Sequence, residues 1–263
     1  MFFIKEYKPK KIKKSNLRKV RLKIFNKINK NLLFLLNKRF LWMKNLIKNK
    51  KIIIELGSGN GCIYKVLKEE KIILTDIVKH PWIDKKIDMA NVNLGKKYLN
   101  KVDVFIINHS LHHCPNPARS LKRMSKYLKK GGLILMNEPE TSFVLKFLQI
   151  LLDDEGWSYK KDVFNDKKNI FKQSSPWNSN TAIANILFSN EKKFRKHFPQ
   201  YEINKNELSE FFIFINSSGV NNNILYIPMN NLFLSLFSYI DKFLIFLFPA
   251  FFALNRSVIL KKI

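Results

Sequence analysis

Acidic residues are scarce in this 263-residue chain: 20 Asp and Glu stand against 48 Lys and Arg, for a net charge of +28. That balance points to an anionic partner, either nucleic acid or lipid headgroups, or to a bias toward Lys, Asn, Ile and Phe in the composition. Two cysteines, Cys62 and Cys114, are too few for a disulfide framework and form no C-x-x-C pair, so a reducing, cytoplasmic setting is expected. Eight glycines and nine prolines exclude collagen-like and linker-type compositions. No secretory leader is predicted, because Met1 to Ile4 runs into basic residues and not into an apolar stretch ending in small ones. What the chain has in quantity is apolar: 46% of it is hydrophobic, with 23 Phe, which suffices for a sizeable core in one decorated domain or two small ones.

The charge is concentrated at the start, where residues 1–50 hold 17 Lys and Arg and a single acid, Glu6. From Asn16 to Ile47, Leu17, Val20, Ile24, Ile28, Leu32, Leu35 and Leu36 recur at helical steps between basic positions, predicting one or two basic amphipathic helices. Such helices either dock on anionic lipid or a nucleic-acid backbone, or pack on the core with a solvated basic face.

At Lys51 the pattern changes. Ile52, Ile53 and Ile54 form a β-branched run ending in Glu55-Leu56 and opening onto Gly57-Ser58-Gly59-Asn60-Gly61. A buried parallel strand, a glycine turn, a helix from Cys62 to Glu70 and a second strand, Lys71 to Asp76, make a βαβ unit. Glycine is needed where the backbone must turn tightly and approach a ligand closely. The dinucleotide fingerprint would place its third glycine at position 62, which is Cys62, and no Gly-Lys-Ser/Thr ending is present, so neither a pyrophosphate loop nor a P-loop is expected. Asp76, at the end of the second strand, is placed to accept from the two hydroxyls of a ribose.

On these residues the sequence resembles the class I S-adenosylmethionine-dependent methyltransferases of the type 11 subgroup, from about Lys51 to Glu138. The resemblance implies an α/β fold: a doubly wound, mostly parallel seven-stranded Rossmann-like sheet, with N-terminal basic helices and a helical insertion before an antiparallel last strand. It implies that Glu55, Gly57, Ser58, Gly59, Asn60 and Gly61 wrap the methionine and ribose part of S-adenosylmethionine. Asp76, with Ile77 beside it, would hold the ribose, and Asp88-Met89 the adenine, although Met89 replaces the usual small residue. Asn108 and His109, at the end of the fourth strand (Val102 to Asn108), complete the set. The segment His109 to Pro117 looks like the family's His-His loop, and Lys130-Gly131-Gly132 like the turn before its fifth strand (Leu133 to Pro139).

Methyl transfer needs mainly a positioned acceptor, and a base only where the acceptor holds its proton tightly. His112 and His113 are the candidate catalytic residues, titratable near neutrality and placed at a strand's C-terminal edge; the alternative is a structural role under the cofactor. No metal is expected from the ligand spacings. Past Glu138, a helix is predicted over Thr141 to Leu152. Asp153-Asp154-Glu155, which follows, is expected to line the acceptor pocket. Trp157 to Asn180 reads as an irregular lid in which Trp157, Tyr159 and Trp177 either stack on an acceptor or anchor the loop. Helices at Ala182 to Phe188 and Glu191 to His197 and strands at Glu210 to Asn216 and Arg256 to Lys261 follow. Leu232 to Ile240 and Phe243 to Leu254 are apolar runs too short to span a membrane, which takes ~20 residues, and are separated by Asp241-Lys242. They suit helices lying on the domain or in a membrane interface.

The expected organisation is a basic extension over 1–50 and a methyltransferase domain over 51–263, with a cofactor core at 51–138, an acceptor-side lid at 139–207 and an apolar helical insertion at 220–255. A looser likeness to enzymes of bacterial surface-polysaccharide or lipid biosynthesis, through Asn180 to Ile183 and the Phe-rich C-terminal half, implies a particular acceptor class. That class is a small molecule, glycan or lipid-linked molecule, methylated at a hydroxyl on the inner face of the cytoplasmic membrane, with residues 1–50 and 232–254 on the lipid. The competing expectations are an RNA methyltransferase, against which no Asn-Pro-Pro-Tyr-like segment follows the fourth strand, and a non-catalytic binding protein of the same fold.

Overall fold

The computed structural model describes residues 4–172, 175–220 and 225–263. Two helices open the chain, α1 (Leu17–Lys27) and α2 (Lys30–Ile47), each begun by an Asn side chain, Asn16 and Asn29, that accepts from a main-chain N–H three residues on. The sheet strands are β1 (Ile53–Leu56), β2 (Ile72–Asp76), β3 (Lys85–Lys86), β4 (Val102–Asn108), β5 (Leu128–Pro139), β6 (Tyr201–Ser209) and β7 (Asn255–Lys262). Their order is β3-β2-β1-β4-β5-β7-β6, with β7 antiparallel to both neighbours. This is the expected doubly wound, mostly parallel seven-stranded sheet.

Alternate residues of each central strand feed two cores. Ile54, Leu56, Phe105, Ile107, Ile134 and Met136 face one side; there they meet α3 (Pro117–Tyr127), α5 (Ile183–Phe188) and α6 (Glu191–His197). Ile53, Val104, Ile106 and Leu135 face the other, covered by α1 and α2. The stripe Leu32, Leu35, Leu36, Phe40, Met43 and Ile47 of α2 is wholly buried, and each such side chain contributes roughly 1.5–3 kcal/mol. The N-terminal helices therefore complete the core on that face of the sheet.

Several elements differ from the sequence reading. After the glycine loop only a short 3-10 turn, Cys62–Lys65, forms; Cys62, Ile63 and Leu67 are buried in the core that α1 and α2 already cover. The sixth strand is Tyr201–Ser209 and not Glu210 to Asn216. Glu210 adopts a left-handed backbone (φ 63°) that turns the chain into the short helix α7 (Phe212–Ile215). The two apolar runs beyond it form one helix, α8 (Asn231–Leu247), that passes straight through Asp241-Lys242 before Pro249 starts α9 (Pro249–Phe252). Helix α4 (Phe143–Leu152) follows β5 as expected. The stretch from Trp157 to Asn180, of which 173 and 174 lie outside the described residues, is irregular apart from Trp157–Ser158, which pairs with Glu6–Tyr7. Of the insertion expected over 220–255, residues 221–224 also lie outside them.

Candidate active site

The C-terminal ends of β1, β2, β4 and β5 open on a cavity of about 810 Å³, as the crevice of an open α/β sheet requires. Its lining brings together Glu55, Gly57, Ser58, Gly59, Asn60, Asp76, Ile77, Asp88, Met89, Asn108, His109, His112 and His113. Gly61 lies outside it. A Cβ there would stand 2.6 Å from Arg21 Nη1 and 3.2 Å from Leu74, so this glycine makes room for α1. Arg21 donates to the Asn60 carbonyl at 2.8 Å and lies over the rings of Phe25 and Trp82, while Trp82 Nε1 donates to the Gly59 carbonyl at 2.8 Å. The outer side of the loop is thus held by a residue of the basic helix.

Asp76 shapes the loop from inside, Oδ2 accepting from Gly59 N at 2.9 Å and Oδ1 from Val78 N at 3.0 Å. Gly57 (φ 69°) has no space for a Cβ, which would fall 2.6 Å from Ser110 Cβ, whereas beside Gly59 (φ 50°) nothing lies within 4 Å. Asp88 Oδ1 accepts from Ala90 N at 2.9 Å. Burial pushes the Glu55 carboxyl up to about 8, helped by the Asp76 charge and opposed by a hydrogen bond from Ser58. Burial and the Arg39 charge hold His109 well below the usual histidine range. Glu55 Oε2 and His109 Nε2 are buried without a hydrogen-bond partner. Unpaired carboxylate and imidazole atoms, open space beside a loop glycine and two further carboxylates fit a cofactor that carries an ammonium group, a ribose and an adenine.

A second cluster lies beside this one. His112 Nδ1 is 2.7 Å from Glu138 Oε2, and its Nε2 is 3.2 Å from Glu155 Oε1; His113 Nε2 is 3.3 Å from the same oxygen, and its Nδ1 is 3.0 Å from the Asn178 carbonyl. Burial disfavours a charge on His112, but Glu155 and Glu138 outweigh it and raise the imidazole to about 10. The same imidazolium overcomes burial at Glu155 and holds that carboxyl well below the usual range. Glu138 also accepts from the main-chain N–H groups of Ser110, Leu111 and His112, and so fixes the whole loop after β4. Sequence reasoning placed Asp154 and Glu155 correctly at the cavity but missed Glu138, whose only signal is an acid at the buried end of an apolar strand. Asp153 faces away, taking the Tyr7 hydroxyl at 2.7 Å. Of the three loop aromatics, Trp177 lines the cavity. Trp157 is buried, donating to the Ile4 carbonyl, and Tyr159 donates to the Thr141 carbonyl. Burial pushes the Cys62 and Cys114 thiols up to about 12, as packing residues would be.

A family model described as a methyltransferase domain matches residues 20–215. No curated protein matches the sequence. Among solved structures, a SAM-dependent methyltransferase from Archaeoglobus fulgidus is 15% identical, covering 88% of this chain and 99% of its own, with a TM-score of 0.49. A SAM-dependent methyltransferase from Thermotoga maritima, described as a possible histamine N-methyltransferase, is 15% identical over 88% of this chain and 93% of its own (TM-score 0.45). The geranyl diphosphate C-methyltransferase of Streptomyces coelicolor, solved with Mg2+, geranyl diphosphate and S-adenosyl-L-homocysteine, is 8% identical over 85% of this chain and 76% of its own (TM-score 0.47). With its motif loop, strand order and matched family model, the chain belongs to the class I S-adenosylmethionine-dependent methyltransferases.

Proposed function

We propose that this methyltransferase acts on a hydroxyl of an amphipathic acceptor, a lipid-linked molecule or glycan, presented at an anionic membrane surface. The observation that carries this reading is the inverted amphipathicity of α8. Leu232, Leu236, Tyr239, Phe243 and Phe246, spaced by alternating four- and three-residue steps, are all more than half exposed, while the buried positions include Ser238 and Asp241. A contiguous apolar stripe in water marks an interaction surface. It continues through α9, which packs on both α8 and α4, to Leu151 and Leu152 at the cavity rim. Beside that rim runs the basic segment from Lys8 to Lys14, tied down by Lys10 N donating to Asp153 and by Lys13 donating to the Leu152 carbonyl. Cations next to an apolar face are the pairing that anionic bilayers select. No helix among the described residues is long and apolar enough to cross a membrane; the proposed contact is a peripheral one on the cytoplasmic face.

In this reading residues 51–138 hold the cofactor, with Arg21 of the basic extension behind the glycine loop, and the described residues of 139–207 form the acceptor side. Glu55 takes the ammonium end, Gly57 to Asn60 the methionine and ribose, and Asp76 with Ile77 the diol. Asp88 and Met89 take the adenine, and Asn108 and His109 close the pocket under the sulfur. Bound S-adenosylmethionine supplies a methyl group on a sulfonium, activated for in-line displacement. The chain's own residues would orient the acceptor oxygen: its hydroxyl would donate its single proton to His113 Nε2, and Glu155, 3.3 Å from that nitrogen, would stabilise the imidazolium that results. His112, engaged through both nitrogens, is a positioning residue for Glu155.

Flotation with vesicles tests the membrane claim. The parent protein should float with anionic vesicles and not with zwitterionic ones, and Phe243→Glu/Phe246→Glu should remain at the bottom while still binding S-adenosylhomocysteine. Labelled methyl should enter the lipid fraction of a membrane extract. Equal recovery of the double variant on the vesicles, or label entering RNA alone, would refute the reading.

A further inference from the structure

The structure assigns a site for a divalent transition-metal cation to His112, His113 and Glu155, at the acceptor end of the cavity. This site stands on side-chain geometry alone, whether or not the protein meets a membrane. Each imidazole has its Nδ1 committed: His112 donates to the Glu138 carboxylate at 2.7 Å, and His113 to the Asn178 carbonyl, which can only accept, at 3.0 Å. Each Nε2 is thereby turned toward Glu155, and in the ion-free chain the proton on His112 Nε2 is donated to that carboxylate; a metal ion would take the proton's place and leave Nε2 as a ligand. Both Nε2 atoms converge on one carboxylate oxygen, Glu155 Oε1, at 3.2 and 3.3 Å. Three potential ligand atoms thus lie together, all within 4.8 Å of one another.

The separations carry the assignment further. Two ligand atoms each ~2.0–2.1 Å from a common centre, at the tetrahedral angle, lie ~3.3 Å apart, close to both nitrogen–oxygen distances here. A carboxylate or main-chain carbonyl holding the far nitrogen of each ring is the support that metal-ligating histidines use to fix ring orientation. Glu138 is itself anchored by the N–H groups of Ser110 and Leu111, so this support is rigid.

Two imidazoles and one carboxylate select cations of the Zn2+ class over Mg2+, which prefers an all-oxygen shell. All three side chains line the cavity, and the Glu155 side chain is 32% exposed, which leaves the remaining coordination positions open to water or an acceptor oxygen. With an ion bound, His113 Nε2 would be a ligand and not the base, and an acceptor hydroxyl taken by the ion would have its proton easier to remove. The spacing rules applied to the sequence miss this site because Glu155 lies 43 residues from His112.

Titration of the chelator-treated full chain with Co2+, read by d–d absorption, tests the assignment without needing cofactor, vesicle or acceptor. The expected result is saturation at one ion per chain with a tetrahedral spectrum, displaced by Zn2+ and unaffected by millimolar Mg2+. His113→Ala and Glu155→Ala should each weaken binding by at least tenfold, with circular dichroism unchanged, while His197→Ala on exposed α6 leaves it intact. Absence of a saturable spectrum from folded parent protein, or equal affinity in parent, His113→Ala and Glu155→Ala, would overturn the assignment. Failure of flotation with intact Co2+ binding would remove the membrane reading and leave this one standing.

Discussion

Arg21, on the first helix, donates to the main-chain carbonyl of Asn60 at 2.8 Å, so the basic N-terminal region is tied directly to the glycine loop. Its guanidinium also lies 4.2 Å from the Phe25 ring centroid and 5.0 Å from that of Trp82. The positive charge of the early chain therefore has at least one inward use. Arg21→Ala should weaken S-adenosylhomocysteine binding by roughly tenfold, the order expected for losing a charged hydrogen bond of about 1.5–3 kcal/mol. An exposed basic residue of the same helix, Lys19→Ala, should leave it unchanged; calorimetry on the two variants separates them.

The two loop glycines should fail in different ways. Gly57→Ala drives a Cβ into Ser110 at 2.6 Å and also strains a left-handed backbone, so the fold itself should lose stability, visible as a large fall in Tm. Gly59→Ala meets open space and carries only the backbone strain, about 1–2 kcal/mol. Its Tm should fall modestly while cofactor binding falls steeply, because the new methyl occupies the ligand's side of the loop. Equal losses of Tm would contradict the distinction.

Asp241 accepts from the N–H groups of Phe211, Phe212 and Ile213 at 2.9–3.2 Å and caps α7 from the middle of α8. Asp241→Ala leaves three main-chain donors, that of Ile213 buried, without that partner and should destabilise the protein by about 1–3 kcal/mol in urea denaturation. Lys242→Ala, its exposed neighbour, should change stability little. A neutral Asp241→Ala would mean that water replaces the carboxylate.

Glu55 makes the protein's stability depend on pH. Its folded-state carboxyl is pushed up to about 8, from an ordinary 4.5, by burial first and the Asp76 charge second. The folded chain therefore binds the proton more tightly than the unfolded chain, and the stability this confers is complete below about 4.5 and lost as pH rises toward 8. The slope reaches at most about 1.4 kcal/mol per pH unit for one group. Chemical denaturation between pH 5 and 8 should show the decline in the parent and a flatter profile in Glu55→Gln. Identical slopes would rule out the assignment to this residue.

The parts of this account legible in the sequence are those whose residues are local. Glu55 to Gly61, Asp76 and Asp88 sit at or just past strand ends, so a strand pattern followed by glycine or an acid locates them without tertiary information. The sixth strand was not legible because it is the sheet edge: Tyr201 to Ser209 alternates with polar residues facing solvent, while the more apolar Phe211 to Ile215 nearby forms a helix. The continuity of α8 was hidden because Asp241 reads as a break until its capping partners, some 30 residues earlier, are in place. Glu138 and the pairing of Glu155 with two histidines are likewise products of the fold, joining the ends of β4 and β5 to the loop after α4.

The claim on which the rest depends is that the cavity at the strand ends binds the cofactor through the glycine loop and Asp76. Calorimetric titration of S-adenosylhomocysteine into the parent and into Asp76→Asn tests it, with NAD as a control ligand. Asparagine keeps an oxygen for the Gly59 N–H but removes the charge offered to the ribose. The expected result is one site per chain in the parent, binding weakened by about tenfold or more in the variant, as loss of a charge-assisted contact gives, and no heat from NAD. Unchanged affinity in Asp76→Asn, or no binding by a folded parent, would contradict it.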